Sequence, residues 1–256
     1  MVRTARVVAV AAALSLAGCG GSAEPAPGAA GVTGEVMVFA AASLTETFTE
    51  LGEDFEAANP GTTVRFNFAG SSALAQQINQ GAPVDVFASA APANVAQVRE
   101  AGGITATPTT FARNVLRIAV PKGNPAGVTG LADFADDEVK IALCAEQVPC
   151  GAAAKKAFGA AGVTPRPDTL EQDVKAVLTK VRLGEVDAAL VYATDVKAAG
   201  GEVEGIAFPE ADEAVNDYPI APLAKAPNAA GAKAFVDHVL SEEGRAVLAE
   251  AGFAVP

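Results

Sequence analysis

Four short stretches of this chain place small or hydroxyl-bearing residues where a strand pattern gives way to a helix pattern. They are Ala41-Ala42-Ser43-Leu44, Ala69-Gly70-Ser71-Ser72, Val148-Pro149-Cys150-Gly151 and Glu171-Gln172-Asp173-Val174. The first N–H groups of a helix have no intrahelical acceptor and carry partial positive charge, so they favour anions. A serine adds a hydroxyl that can turn toward an oxygen atom. Several such stretches meeting in one cleft would bind a compact oxyanion without lysine or arginine.

Each stretch also has a simpler explanation, which is helix capping. Ser43 and Glu46 form the S-x-x-E pattern of a capping box. We expect Ser43 to serve both as this cap and as a ligand donor. Asp173 is a typical N-cap residue, and a carboxylate turned into the cleft would repel a dianion. We therefore interpret Asp173 as the cap of its helix.

Strand and helix patterns alternate along the chain, which predicts parallel sheets flanked by helices. Apolar runs predict strands at 36–40, 63–69, 83–90, 115–121, 139–144, 186–192, 203–208 and 218–223. Helical stripes and capping residues predict helices from Ser43 to about 58 and at 73–81, 92–103, 149–161, 171–185, 228–240 and 242–251. Ligands of such sheets lie beyond the carboxyl ends of the strands, and the four stretches fall there.

The size and charge of the chain limit its partners. The 256 residues are enough for two lobes with cores of their own, and a hydrophobic fraction of 50% indicates a globular protein. The formal net charge is -12, which argues against nucleic acid and anionic membrane surfaces as partners. An anion would have to be attracted by local dipoles and donors.

The N-terminal residues resemble a lipoprotein signal. Arg3 and Arg6 precede an apolar run at 7–18 that is too short to span a membrane. Leu16-Ala17-Gly18-Cys19 resembles a lipobox, which predicts lipidation of Cys19 after removal of residues 1–18. An ordinary signal peptide is the alternative. Residues 19–34 are rich in Gly, Pro and Ala and predict a flexible tether to the outer face of the cell membrane.

Two further cysteines, Cys144 and Cys150, form an even pair in a compartment that permits disulfides. We expect a disulfide between them, and two buried thiols are the alternative. A metal site is disfavoured, because no histidine or third cysteine lies near in sequence.

The sequence contains little that indicates an enzyme. His238 is the only histidine, far from the four stretches, and we expect it to pack or face solvent. A serine nucleophile needs a base, and the chain has no G-x-S-x-G, no S-x-x-K, no zinc-binding H-E-x-x-H and no Walker phosphate loop. An exported hydrolase that uses Ser43 is the remaining enzymatic alternative.

Several motifs together resemble the molybdate-binding proteins of bacterial molybdate ABC importers. The stretches are VFAAASLTETFTELGEDFE, FAGSSALAQQINQGAPVDVFASA, VPCGAAAKKAF, EQDVKAVLTKVRLGEVDAALVYATD and the terminal AGFAVP, in this order from about residue 35 to the end. The resemblance implies an α/β type II periplasmic-binding-protein fold. Such a fold has two lobes, each a mainly parallel sheet flanked by helices, with two crossover strands as a hinge. We expect lobe 1 at 35–113 and 222–256, and lobe 2 at 114–221.

The resemblance also implies a ligand and its contacts. The ligand is molybdate, usually also tungstate, held by neutral hydrogen-bond donors in the cleft and passed to an ABC permease with its ATPase. By motif position, Ser43 and Ser71 donate hydroxyl and backbone N–H groups, Cys150 and Val174 donate backbone N–H groups, and Tyr192 donates its phenol. Ser72 is an alternative to Ser71. The expected protein is a monomer without cofactor or bound metal cation; another oxyanion such as sulfate or phosphate is the alternative ligand.

Overall fold

The computed structural model describes residue 2 and residues 32–256. Apart from residue 2, the predicted signal peptide at 1–18 lies outside the described residues, as do the predicted lipidation site Cys19 and most of the predicted tether at 19–34. The last tether residues contact the fold. The Thr62 hydroxyl donates to the carbonyl of Val32 at 2.7 Å, and Thr33 accepts from the Asn228 side chain at 2.9 Å.

One five-stranded sheet draws on both ends of the described chain. Its strands are β1 (Gly34–Ala41), β2 (Thr62–Ala69), β3 (Val86–Ala88), β4 (Thr109–Asn114) and β10 (Asn216–Pro222). Their order is β2-β1-β3-β10-β4, with β1 parallel to β2 and β3, and β10 antiparallel to β3 and β4. Asp85 supports this sheet, because its carboxylate accepts the N–H groups of Met37 and Asn228.

A second five-stranded sheet is built from the middle of the chain. Its strands are β5 (Leu116–Pro121), β6 (Ile141–Cys144), β7 (Thr169–Glu171), β8 (Ala188–Tyr192) and β9 (Val203–Ile206). Their order is β7-β6-β8-β5-β9, with β6 parallel to β7 and β8, and β5 antiparallel to β8 and β9. Each sheet packs against its own helices, so the predicted two-lobed α/β fold is confirmed.

The helices follow the strands as the sequence predicts, with small shifts at their ends. They are α1 (Thr45–Ala58), α2 (Ser71–Asn79), α3 (Pro92–Glu100), α4 (Pro149–Ala161), α5 (Val174–Arg182), α6 (Ala193–Ala198), α7 (Ala229–Leu240) and α8 (Glu242–Ala251). Short 3-10 helices occur at Ala42–Leu44, Leu131–Ala135 and Pro209–Ala214. Among the described helices, none has the length and hydrophobicity that a membrane crossing requires.

The chain crosses between the sheets twice, from β4 to β5 and again before β10. Asn114 and Asn216 are partners in the register of β4 and β10, so the two crossings lie side by side. The predicted lobe division places 216–221 in the second lobe, whereas the sheets place this strand in the first. The reason is that Asn216 and Asp217 continue the ladder with β4, although their polar side chains do not look like part of a strand.

Two strands and one α-helix were missed in the sequence. The run TTFARN of β4 alternates poorly, and only Phe111, Ala112 and Asn114 of it are buried. Strand β7 has three residues, none of them fully buried, and α6 has six. Hydrophobic periodicity is weak in segments this short or this polar.

Candidate functional site

A small cavity lies between the two sheets, at the carboxyl ends of their parallel strands. Its space is about 220 Å³, including the mouth. All four predicted stretches contribute lining residues, and Ala90 and Tyr192 complete the wall. Ser43, Ser71, Cys150, Val174 and Tyr192, which the sequence nominated together, therefore line one cavity.

On the side of the first sheet, two serine hydroxyls form hydrogen bonds with other residues of the protein. The Ser43 Oγ lies 2.9 Å from the Tyr218 hydroxyl. The Ser71 Oγ accepts the backbone N–H of Ala90 at 3.0 Å. Ser71 is the first residue of α2, so its own N–H has no acceptor within that helix. Ser72 is not among the lining residues.

The prediction that Ser43 caps α1 is wrong. Ser43 lies within the 3-10 helix Ala42–Leu44, and α1 begins two residues later, at Thr45, without a side-chain cap. The Thr45 hydroxyl instead donates to the carbonyl of Ala42 at 2.7 Å. This extra turn moves Ser43 away from the orphan N–H groups of α1 and toward Tyr218.

On the side of the second sheet, backbone donors come from the first turns of α4 and α5. Cys150 is the second residue of α4, and Val174 is the first residue of α5. Their N–H groups belong to the set that a helix leaves without internal acceptors. Asp173 also lines the cavity, and its Oδ1 accepts the N–H of Ala176 at 2.9 Å, so the predicted N-cap is confirmed.

A disulfide holds Cys150 close to the end of β6. Cys144, at the end of β6, is joined to Cys150 across the first turn of α4. The loop between them also depends on Gly151, since a Cβ at that position would lie 2.0 Å from the carbonyl oxygen of Ala145. The start of α4 is therefore held against the end of β6 by a covalent bond and a close backbone contact.

Tyr192 is the exception among the polar lining residues. It ends β8 with 1% of its surface exposed. Its hydroxyl lies near that of Tyr218, but the two do not have hydrogen-bond geometry, and no other residue between 32 and 256 is a partner. Burial raises the pKa of Tyr192 well above its ordinary value, so the hydroxyl stays protonated. A buried hydroxyl without a partner costs about 1–3 kcal/mol, which a ligand oxygen in the cavity would recover.

Charged residues surround the cavity without lining it, Asp173 excepted. Lys175 Nζ lies 2.8 Å from both carboxylate oxygens of Glu46 and 3.2 Å from Asp195 Oδ1. Glu46 belongs to α1 and the other two to α5 and α6, so this group joins the lobes. Asp195 is fully buried, its Oδ2 accepts the N–H of Tyr192 at 3.0 Å, and burial raises its pKa from 3.8 to about 6.

The lobes come close together at Gly70. A Cβ on Gly70 would lie 2.2 Å from the carbonyl oxygen of Gln172, which belongs to the other lobe. The backbone of Gly70 has φ -58° and ψ 132°, a conformation open to any residue. Glycine is needed there for contact between the lobes and not for a special turn.

Sequence reasoning missed the partners behind the site. Tyr218 and Ala90 hold the two serines, and Lys175 joins Glu46 and Asp195; no motif marks these residues. His238 packs against Phe55, with ring centres 5.5 Å apart, and does not line the cavity, which confirms its predicted packing role.

The lining offers hydrogen-bond donors and no formal cation. None of the described lining residues is lysine or arginine. Among the residues that the structure describes, no cluster of histidine, cysteine and acidic side chains could hold a metal ion. Neutral donors aimed at one small space suit a compact anion.

Comparison with known proteins covers nearly all of the described chain. The family described as bacterial extracellular solute-binding protein matches residues 36–254. The molybdate-binding protein ModA of Mycobacterium tuberculosis is 43% identical over 239 residues, 92% of this chain and 92% of that protein. YvgL of Bacillus subtilis, named as a candidate ABC transporter substrate-binding lipoprotein, is 30% identical over 258 residues, 96% of each.

The solved structures support the same fold. The periplasmic molybdate-binding protein of Azotobacter vinelandii superposes with a TM-score of 0.73 at 20% identity, over 86% of this chain and 99% of that one. This likeness concerns the fold alone. Together with the sequence relatives, it confirms the resemblance that the short motifs indicated.

Proposed function

This chain belongs to the bacterial extracellular solute-binding proteins, and on that premise we propose that it captures molybdate, and also tungstate, for an ABC importer. Its relatives are solute-binding proteins of transporters and not enzymes, in keeping with the absence of a base near Ser43 in sequence. The permease and the ATPase belong to other chains. The protein acts as a monomer, which light scattering after gel filtration would test.

The observation that carries the proposal is the unpaired hydroxyl of Tyr192. It is buried, protonated and part of the same cavity wall as Ser43 and Ser71. Buried polar groups nearly always have partners, so a missing partner at this point indicates a ligand oxygen. The backbone N–H groups of Cys150 and Val174 add donors from the second lobe.

The donor set suits an oxyanion without a proton. Molybdate and tungstate are tetrahedral dianions that accept hydrogen bonds at every oxygen. Hydrogen phosphate carries a proton that needs an acceptor. Among the described lining residues, the one carboxylate is that of Asp173, and one of its oxygens is turned to the N–H of Ala176 as a helix cap. Sulfate has the same charge and shape as molybdate, so cavity size must separate these two ions.

Calorimetric titration of the chain from residue 20 onward tests this function. We expect saturable binding of molybdate and tungstate, and weaker binding of sulfate and phosphate. Ser71→Ala should weaken molybdate binding about tenfold, the loss of one hydrogen bond to a charged group. Ser72→Ala, the neighbouring serine outside the lining, is the matched control and should bind as the wild type does. Tight binding of sulfate or phosphate with no response to molybdate would transfer the function to that oxyanion.

The disulfide also belongs to this function. We infer that the bond between Cys144 and Cys150 keeps the Cys150 N–H in place, because the bonded sulfur belongs to the donor residue itself. The double variant Cys144→Ser/Cys150→Ser should bind molybdate more weakly than the wild type. Wild-type affinity with and without reductant gives the same comparison, and unchanged affinity in both experiments would remove this role.

Lipid attachment at Cys19 would hold the protein on the outer face of the cell membrane. The support is the Leu16-Ala17-Gly18-Cys19 sequence and the similarity over 96% of the chain to a relative named as a lipoprotein. Full-length protein expressed in a bacterium should sediment with membranes and incorporate labelled fatty acid. Cys19→Ala should abolish the label; a variant that keeps the label would refute attachment at this residue.

A further inference from the structure

We propose that Tyr218 is a positioning residue that directs the proton of Ser43 into the cavity and so favours oxyanions that carry no proton. This inference rests on the proposed function. Tyr218 does not line the cavity, so it would act through a lining residue, and its hydroxyl is hydrogen-bonded to one of them, Ser43.

The ring of Tyr218 is held in one place by aromatic contacts from both lobes. Tyr218 lies on β10 and has no exposed surface. Its ring centre lies 5.4 Å from that of Phe253 and 6.3 Å from that of Phe111, both in the first lobe. The ring of Tyr192, from the second lobe, lies 6.1 Å away. All three contacts are edge-to-face, an arrangement that fixes a ring's orientation.

The hydroxyl of Tyr218 is hydrogen-bonded to Ser43, and the Asn114 side chain and the Tyr192 hydroxyl lie near it. The Tyr218 hydroxyl lies 2.9 Å from Ser43 Oγ, and Ser43 makes no other side-chain hydrogen bond within residues 32–256. Each hydroxyl has one proton and two lone pairs. If Tyr218 donates, the single proton of Ser43 is free for the ligand. If Ser43 donates, only its lone pairs can face the cavity, and they repel an anion.

An anion in the cavity therefore selects the arrangement in which Tyr218 donates. Burial raises the pKa of the Tyr218 phenol, so the proton needed for this donation stays in place. If the bond reversed while the ligand was bound, Ser43 would donate to Tyr218 and the anion would lose one hydrogen-bond donor. Tyr218 thus holds Ser43 as a donor.

Ser71 shows the same principle with a partner that cannot reverse. Its Oγ accepts the backbone N–H of Ala90, and an N–H group can only donate. The proton of Ser71 is therefore also free for the cavity. Both serines receive one hydrogen bond from the protein, but only the bond to Ser43 depends on a side chain that mutation can change.

The consequence concerns selectivity. When Tyr218 donates, it occupies one lone pair of Ser43 and leaves the Ser43 proton directed at the cavity. Without the Tyr218 hydroxyl, Ser43 can turn freely, so it can present a lone pair to the proton of hydrogen phosphate as readily as it donates to molybdate. Loss of Tyr218 should therefore reduce affinity for molybdate and, separately, reduce discrimination against phosphate.

Tyr218→Phe tests this inference, because it removes the hydroxyl and keeps the ring. We expect the Kd for molybdate to rise about tenfold, the effect of one misdirected donor to an anion. The Kd for phosphate should rise less or fall, so the ratio of the two constants shrinks. A defect of packing alone would weaken both ligands equally, and an equal loss would overturn the proposal.

A double-mutant cycle shows whether the effect passes through Ser43. In a Ser43→Ala background, Tyr218→Phe should change molybdate affinity no further. In a Ser71→Ala background, which serves as the matched control, it should keep its full effect. Full additivity in both backgrounds would refute a role through Ser43. If the wild type itself binds no molybdate, the proposed function fails; if it binds and Tyr218→Phe binds equally well, only this inference fails.

A second measurement avoids any loss of folding in Tyr218→Phe. The chain has two tyrosines, so 3-fluorotyrosine incorporated into Tyr192→Phe labels Tyr218 alone. Saturating molybdate should shift the fluorine resonance when Ser43 is present and leave it unchanged in the Ser43→Ala variant. An equal shift in both proteins would contradict transmission through Ser43.

Discussion

The two walls of the cavity are prepared for a ligand in different ways. On the wall of the first sheet, Ser43 and Ser71 already have protein partners, Tyr218 and Ala90. On the wall of the second sheet, the Tyr192 hydroxyl is buried without one, and the ionised form of Asp195 is disfavoured by burial. The serine hydroxyls of the first wall are held by protein partners, whereas the hydroxyl of the second wall is left without one.

The two walls should therefore contribute binding energy in different ways. A preorganised donor contributes its hydrogen bond without further ordering, while an unpaired donor adds relief of its own desolvation cost. The two walls face the same ligand only when the lobes are in contact. A change at the contact between the lobes should therefore have the largest effect on binding.

The largest effect is expected from Gly70→Ala, which separates the two walls. The added Cβ would lie 2.2 Å from the carbonyl of Gln172, and overpacking of this kind costs about 1–3 kcal/mol, equivalent to about 5- to 150-fold in affinity for molybdate. Gly159→Ala is the control, since a Cβ there meets no atom within 4 Å. Calorimetry of both variants measures the difference; unchanged binding in Gly70→Ala would show that the lobes need not meet there.

The next effect is the pH dependence contributed by Asp195. Its pKa is raised from 3.8 to about 6, so its protonated form stabilises the fold below pH 4 and this contribution is lost as pH rises through 6. The facing groups are Lys175 and Glu46. Relative to Asp195→Asn, the wild type should gain about 1–3 kcal/mol of unfolding free energy between pH 7 and pH 4. Urea unfolding of both proteins measures this free energy as a function of pH. An equal pH dependence in the wild type and in Asp195→Asn would contradict this assignment.

A third prediction is that variants of the two walls change the stability of the ligand-free protein in opposite directions. Tyr192→Phe and Ser71→Ala should each weaken molybdate binding about tenfold. Without ligand, Tyr192→Phe should raise the melting temperature, because it removes an unpaired buried hydroxyl. Ser71→Ala should lower it, because the N–H of Ala90 loses its acceptor. Melting curves with and without molybdate measure both effects, and equal signs without ligand would remove the distinction drawn here.

The smallest effect is expected from the ion pair between the lobes. Glu46→Gln removes the partner of Lys175 from the first lobe, but Glu46 is 57% exposed. Such pairs contribute about 0.2–1 kcal/mol, so molybdate affinity should fall about two- to fivefold. Glu53→Gln, an exposed change of equal charge on α1, is the control. The difference between the two variants should vanish in 1 M salt, and a difference that persists would exclude an electrostatic origin.

Local chemistry made much of this site predictable from the sequence. The strand-to-helix stretches identified where backbone donors are free, and the family resemblance selected Tyr192. The residues behind them could not be found in this way. Tyr218 lies 175 positions from Ser43, and Lys175 lies 129 positions from Glu46. Only the folded topology brings such pairs together, and neither residue type nor spacing marks them.

The error at Ser43 has the same origin. S-x-x-E is a local signal, but the 3-10 turn that displaces α1 depends on burial of Ala42, Ser43 and Leu44 against the rest of the lobe. The polar strand β4 was missed because its neighbour in the sheet is β10, which lies about one hundred residues away in sequence. Tertiary pairing decides such segments, and periodicity does not.

The central position of β10 in the first sheet has a consequence for how the protein folds. β10 separates β3 from β4, so β4 has no neighbour in its sheet until residues 216–222 are available. The second sheet uses the continuous segment from 116 to 206 and needs nothing from either end. During synthesis or secretion, when the N-terminal part is released first, the second lobe can therefore complete itself early. The first lobe must wait for the last forty residues, and its refolding should be the slower phase because its pairings are more distant in sequence.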